Sequence, residues 1–419
     1  MCLTLPAKVI SSDGYRADIL ASGKKQKVKI GLSEKIQAGD WVLFTGDYLI
    51  KKITECEAQE IFNLLGSYKK AKPENLSPDL RNILESASQR DLKKEEIEYL
   101  LSLENESDLE AIYSEANIIR KASIKDHICV HGIIEFSNHC RNNCAYCGLR
   151  CDNRIVRYRM ATEEIVESAL QAVNEKGYKI LVLQSGEDEY YTEERLIEII
   201  KKIKEKCRAF IYLSIGERPR SVYENLKKTG ANGVLYRFET SNPKIYKQLH
   251  ENDSLSDRLE NLKIMKKLGY VISTGMMVGL PGQTVSDLAD DIIMMRELGT
   301  FMPSFGPFIP TLGTPLADEK NTGAEMILKI IATTRLAMPK ARIPVTTAME
   351  TIGGEAFRQK AFMAGANSVM FNLTPDKYRE NYSIYANKFF DREKRYEKWA
   401  LFKGELSYQM LENELQIKI

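Results

Sequence analysis

Residues 131–160 read HGIIEFSNHCRNNCAYCGLRCDNRIVRYRM, and Cys140, Cys144 and Cys147 fall in a C-x3-C-x2-C spacing directly after a short apolar run. Thiolates are the protein ligands that hold iron–sulfur clusters. Three of them on a four-iron cluster leave one iron open, and a small chelating molecule with an amine and a carboxylate can take that position. The competing reading is a zinc ion completed by a histidine, His139 or His131. Zinc sites usually draw on two separated ligand pairs, and no second pair exists in this sequence. Cys151 lies outside the triplet spacing. Cys56, Cys129 and Cys207 have no spacing partner and read as small buried hydrophobes.

The chain has 419 residues and a formal net charge of +2, from 60 Lys and Arg against 58 Asp and Glu. Such a balance, with no long single-sign block, gives no electrostatic case for nucleic acid or an anionic membrane as partner. No apolar run reaches bilayer-spanning length; residues 128–136 make a run of strand length. The opening MCLTLPAKVI lacks the basic stretch and long apolar core of a secretory signal. Eight cysteines, four of them crowded into residues 140–151, do not make a disulfide framework, so a reducing, cytoplasmic setting is expected. The length exceeds one typical domain and predicts two.

The elements that must position the cysteines emerge from the rest of the chain. Residues 1–66 carry short apolar or β-branched segments at 7–10, 15–20, 26–30, 41–45 and 48–53, separated by turn signals such as Asp13-Gly14 and Gly39-Asp40. They predict a small all-β, OB-like barrel, closed by a helix over 55–65 with Thr54 as its N-cap. Residues 67–78 read as a linker, and 79–122 as a helical lead-in. From 123 to 376, apolar strand candidates at 132–137, 179–184, 210–215, 233–239, 271–278, 304–309, 343–347 and 368–372 alternate with amphipathic helical patterns. Eight strands with helices between them predict a closed α/β barrel of the (β/α)8 TIM type, with ligands at the C-terminal ends of the strands. The cysteine loop follows the first strand, so the cluster belongs at that mouth. Residues 377–419, with Tyr378, Tyr382, Tyr385 and Trp399, are expected to form a helical cap.

The triplet, with Tyr146 before its third cysteine and GLR…RYRM after it, resembles the radical S-adenosylmethionine (SAM) enzymes. The span from about residue 79 to 385 is further similar to the HydE-type maturases of FeFe-hydrogenases. The strings that carry this are IIEFSN-x-CRNNCAYCGLR, RYRM-x-TEEIVE, LVLQSGED, LSIGERPR, RFETSNP, MVGLPGQT, GPFIP, IPVTTAM and GANSVMFNLTP. The resemblance implies a 4Fe-4S cluster on Cys140, Cys144 and Cys147. It also implies SAM held by Gly186, Glu187, Ser214, Glu239 and Arg258, and substrate near Thr346 and Thr347 at the seventh strand end. Gly186 would permit close backbone approach to SAM. Gly279-Leu280-Pro281-Gly282 has no phosphate-loop lysine and reads as a strand-to-helix turn. Phe238 stands where the family has a histidine, Thr311-Leu312-Gly313 where it has a histidine and an aspartate, and Met276 where it has a small residue. These departures predict a cavity richer in apolar surface and poorer in protonatable groups. No cysteine follows Cys207, so the accessory cluster of some members is absent from this sequence.

Residues 1–66 resemble the HypC/HupF hydrogenase-assembly chaperones, through MCLTLP, AGDWVL and residues 50–53 ahead of an acidic helix. That resemblance implies that Cys2 is a ligand of an iron fragment, although Thr45 occupies the region where the family carries a histidine. The leading expectation is a radical SAM enzyme that cleaves SAM reductively and acts on an organometallic iron/cysteine precursor of the FeFe-hydrogenase cofactor. Its partners would be a one-electron reductant such as ferredoxin or flavodoxin and other hydrogenase maturases. Two alternatives stand beside it: a mutase or sulfur-inserting enzyme resembling methylornithine or biotin synthase, acting on an amino-acid-derived substrate, and an iron-fragment carrier without turnover.

Overall fold

Alternation of buried and exposed side chains builds the first unit. In strand β2 (Arg16–Ala21) every second residue, Ala17, Ile19 and Ala21, is buried, as a half-buried strand requires. With β1 (Leu5–Ser12), β3 (Lys24–Ile30), β4 (Trp41–Thr45) and β5 (Tyr48–Ile53) it forms a closed barrel in the order β1-β2-β3-β5-β4. β4 pairs antiparallel with β1 to close it, and β3 pairs parallel with β5. Val9, Ile19, Val28, Val42, Phe44 and Leu49 fill the interior. Thr54 and Glu57 bond reciprocally, Glu57 N donating to Thr54 Oγ1 and Thr54 N to Glu57 Oε2, which starts the expected helix.

The structure, a computed structural model, describes residues 5–21, 24–30, 35–45, 48–55, 57–58, 76–125, 128–354, 356–388 and 408–417. Cys2, the linker, most of the 55–65 helix and Trp399 lie outside the described residues. The chain divides into two compact units, residues 1–77 and 78–419.

In the larger unit, helices Pro78–Ser86, Lys94–Leu101 and Glu106–Ile124 precede the first barrel strand. Eight parallel strands follow: β6 (Cys129–Ser137), β7 (Ile180–Ser185), β8 (Phe210–Ser214), β9 (Gly233–Leu235), β10 (Val271–Thr274), β12 (Met302–Pro303), β14 (Pro344–Val345) and β15 (Ser368–Asn372). Their spatial order is β12-β10-β9-β8-β7-β6-β15-β14. The edge strands β12 and β14 meet through a single backbone bond just before each begins, Arg342 N to Phe301 O at 3.0 Å. The barrel is therefore nearly closed. Helices lie between the strands because their apolar residues recur three and four apart: Leu196, Ile199, Ile200 and Ile203 are buried on helix Glu193–Lys206. Burying each such side chain contributes roughly 1.5–3 kcal/mol.

One expected long strand is broken: β10 stops at Thr274 and resumes as β11 (Met277–Val278). The strand expected at 304–309 joins the barrel earlier, as β12 at 302–303, and only 306–307 of the expected range pairs, as β13 (Gly306–Pro307) beside β11 in a separate parallel pair. Gly275 lies at the break, where a Cβ would stand 2.3 Å from Ser304 O. The barrel end opposite the mouth is covered by a helix over 408–415, whose Tyr408 and Leu411 pack on Cys129, Ile180, Phe210 and Met302 at the strand starts.

Candidate active site

The cysteine loop is held by residues from its own two ends. One guanidinium, that of Arg157, donates to four loop carbonyls: Asn138 O (2.5 Å), Leu149 O (2.9 Å), Arg150 O (2.6 Å) and Asn153 O (3.1 Å). Asn138 Nδ2 donates to Val156 O and Asn381 O, and its Oδ1 accepts from Tyr158 N. Arg159 forms a two-point ion pair with buried Asp188, which also accepts from Ser137 Oγ at 2.7 Å. Burial alone would raise the Asp188 carboxyl; the Arg159 and Ser137 hydrogen bonds outweigh it and hold the group below the usual range. The second strand end presses directly on the loop. A Cβ on Gly186 would meet His139 O at 2.2 Å and the Cys140 Cβ at 2.8 Å.

Cys140, Cys144 and Cys147 open together onto one cavity of about 330 Å³ at the C-terminal ends of the strands. Backbone N–H groups of Asn142 and Glu187 point at Cys140 Sγ, at 3.5 and 3.4 Å. His250 Nδ1 lies 3.4 Å from Cys144 Sγ. Burial, then the charge of the other two cysteines, pushes the Cys144 thiol well up, and burial pushes Cys147 up to about 12. Three thiolates cannot share this space without a compensating cationic centre. Among the described residues, no group of three His, Cys, Asp or Glu side chains converges to hold a single metal ion. A cluster needs no such convergence, since each thiolate binds a different iron.

Beside the cysteines lies a charged group. Glu239, buried and with φ +67°, accepts from Arg237 Nε at 3.0 Å and from Tyr146 OH at 3.1 Å. Burial would raise its carboxyl, but Arg237, with Arg258, reverses that and holds it below the ordinary value. The strand-leaving backbone is fixed by Glu239 N to Gly275 O and Met277 N to Glu239 O. Arg258 lies over the Tyr236 ring at 3.9 Å, with Nε donating to Arg237 O and Nη1 buried without a hydrogen-bond partner. Its ion-pair contact, Glu217 Oε1 at 3.9 Å, is too long for a hydrogen bond, so this buried guanidinium N–H still fits a carboxylate ligand. Glu187 is clamped between Arg141 Nε and Glu217 N, and only a glycine at 216 leaves it room, since a Cβ there would be 1.9 Å from Glu187 Cγ.

A family profile for the Radical SAM superfamily matches residues 134–294, one for the HupF/HypC family residues 1–65, and one for the Biotin and Thiamin Synthesis associated domain residues 304–394. The chain is 45% identical over 317 residues to the [FeFe] hydrogenase maturase subunit HydE of Thermotoga maritima, covering 75% of this chain and 90% of that protein. The chain belongs to the HydE family of radical SAM enzymes. It is also 32% identical to the 3-methylornithine synthase of Methanosarcina acetivorans, over 72% of this chain and 86% of that one. A crystal structure of methylornithine synthase superposes with a TM-score of 0.68 at 27% identity, covering 78% of this chain and 96% of that one. Radical SAM enzymes of this family use a 4Fe-4S cluster and SAM, and the cysteine patch and the Glu239–Arg258 group fit both.

In this HydE-family chain the described residues singled out from the sequence share one cavity: the three cysteines, Gly186, Glu187, Ser214, Glu239, Arg258, Thr346 and Thr347 all line it. Five expectations change in detail. Gly186 is needed for approach of the cysteine loop itself. Thr346 and Thr347 stand at the start of helix Thr347–Gly353, beyond a strand that ends at Val345. Phe238, Met276 and Thr311 are buried beside the cavity and do not line it. Nor is the cavity poor in protonatable groups, because His250, Glu135, Lys388, Tyr382 and Tyr385 face it. Tyr382 and Tyr385, expected in a helical cap, stand on non-helical backbone after the short helix Asp376–Arg379 and face the cavity; nothing local in the sequence marks His250, Glu135 or Lys388. Burial, then Arg258, lowers His250 to about 4, so its ring is neutral.

Proposed function

We propose that this enzyme acts on a cysteine-bearing organometallic iron precursor during assembly of the diiron cofactor of an FeFe-hydrogenase. The observation that carries the reading is the single mouth cavity, which gathers the three cysteines, the Glu239–Arg258 group and the Thr346–Thr347 hydroxyls. When bound, the cluster and SAM supply a 5′-deoxyadenosyl radical through reductive cleavage. The chain's own part is positioning and exclusion. Arg157 and Asn138 set the cysteine loop; Arg258 and Glu239 orient the amino-acid end of SAM; Ser214 and Glu187 complete that wall. Met277, Phe308 and Ile309 line the space between with apolar surface, which keeps water from a reactive species.

A one-electron reductant such as ferredoxin or flavodoxin and other hydrogenase maturases are the partners this reading requires. Residues 1–66, whose five-stranded barrel and HupF/HypC match argue for an assembly role, are proposed to carry the iron fragment through Cys2. The reading divides the chain into that unit, a linker at 67–78, the lead-in at 79–122, the barrel at 123–376 and a C-terminal segment at 377–419. No described helix is long and apolar enough to cross a membrane, and the cytoplasm is the compartment we propose. The test is in vitro maturation: apo-FeFe-hydrogenase is incubated with all other maturation components, with and without this protein. Hydrogen evolution that depends on its addition supports the reading; activation without it contradicts the reading. A mutase acting on an amino acid is the second reading, favoured by 32% identity to 3-methylornithine synthase. It predicts an isomerised amino acid among the products and no effect on the hydrogenase.

A further inference from the structure

Two acid–base poles face each other inside the barrel. Glu239 follows β9, and Asn372 ends β15, four strands away in the eight-stranded ring and so on the opposite wall. There Glu135 of β6 and Lys388 form an ion pair, Lys388 Nζ to Glu135 Oε1 at 2.5 Å, with 2% and 8% exposure. Asn372 Nδ2 donates to the other carboxylate oxygen at 2.8 Å, and Lys388 Nζ donates to Tyr382 O at 3.1 Å. An ammonium has three N–H groups, so two acceptors leave one donor for a ligand. The Thr346 hydroxyl lines the same cavity, buried and without a hydrogen-bond partner.

Burying such a pair gains little stability, because desolvation offsets the attraction and an apolar pair of similar volume often does as well. Placed in a ligand cavity it has another use. One cation beside one carboxylate is the complement of a zwitterion, as the Arg258–Glu239 group is for the amino-acid end of SAM. We propose that Glu135 and Lys388 bind the α-amino-acid head group of the substrate, the carboxylate on Lys388 and the α-ammonium on Glu135, with Thr346 donating to the same carboxylate. This rests on the proposed function only in taking the substrate to carry an amino-acid moiety. It adds which atoms hold that moiety and on which wall.

The test uses the reconstituted full-length enzyme with SAM bound, titrated by calorimetry with S-methyl-L-cysteine, whose capped thiol keeps it off the cluster. Its carboxamide and S-methyl-3-mercaptopropionate, which lacks the amine, are titrated in parallel. Each lost charge removes a charge-assisted hydrogen bond, so each analogue is expected to bind roughly 10–100-fold more weakly. In Lys388→Met the acid and the amide should bind alike, the double-difference that isolates this contact. Equal binding of acid and amide to the wild type overturns the assignment, as does an acid–amide ratio that survives in Lys388→Met, or no binding at millimolar probe. Should Lys388→Met fail to hold its cluster, the wild-type ratio still decides. Intact zwitterion binding in a protein that does not support hydrogenase maturation would overturn the maturase reading and leave this site standing.

Discussion

Replacing Arg157 with lysine should loosen the cysteine loop without removing a ligand. The guanidinium reaches four carbonyls, of Asn138, Leu149, Arg150 and Asn153, from two nitrogens held in a rigid plane. An ammonium is a point donor and cannot span that set. At least two of the four bonds should be lost. A hydrogen bond to a charged donor contributes about 1.5–3 kcal/mol, and the half-buried setting of Arg157 calls for a discount of roughly half. That leaves on the order of 1.5–3 kcal/mol favouring local opening of the loop, roughly 10- to 150-fold in its equilibrium. The assay is loss of cluster absorbance under excess chelator, followed anaerobically, alongside thermal unfolding of the cluster-free protein. Chelator-driven loss should accelerate by that factor, with little change in global unfolding. Equal resistance of Arg157→Lys and wild type to the chelator would refute the reasoning, since the four bonds would then not govern the loop.

Cys144→Ala should remove the cluster absorbance, while Cys151→Ala, whose thiol is exposed and bonded to Asp152, should leave iron content unchanged by chemical assay. Glu239→Gln should weaken SAM binding by roughly one to two powers of ten in equilibrium dialysis, because a charge-assisted bond is lost. Asp291 is fully buried, accepts from Ser241 N and Gln283 Nε2, and is pushed up to about 7 by burial. The folded state therefore holds a proton that the unfolded state releases, so this group makes stability fall as pH rises from about 4 to 7, by about 1.4 kcal/mol per pH unit. Denaturant unfolding of Asp291→Asn at pH 5 and pH 8 should show a smaller difference than wild type; an unchanged difference would place the proton elsewhere.

Much of the site was legible because its residues cluster in short strings whose members each have a local task. In RYRM, Arg157 ties the loop carbonyls, Tyr158 OH donates to Glu135 O, Arg159 pairs with Asp188 and Met160 is buried. In MVGLPGQT, the side chain of Gln283 folds the turn by accepting from Gly279 N and Leu280 N. Strand alternation likewise revealed the eight-stranded order. The strand breaks at Gly275 and after Leu235 were not legible, because apolar residues continue through 278 and alternate with charged ones at Tyr236 and Phe238, while backbone pairing of the strand does not continue. Glu135 and Lys388 were missed for another reason. They lie 253 residues apart, and only closure of the barrel brings them together. His250 follows helix Pro243–Leu249, which the alternation of strands and helices had no need of, and its approach to Cys144 depends on that extra turn.

The most direct measurement is product analysis after anaerobic reconstitution with iron and sulfide, followed by SAM and a one-electron reductant. The account predicts about four irons per chain, and methionine with 5′-deoxyadenosine formed only when Cys140, Cys144 and Cys147 are all present. A protein that carries its cluster, binds SAM in the Arg258–Glu239 cavity and still leaves SAM intact under reduction would contradict it.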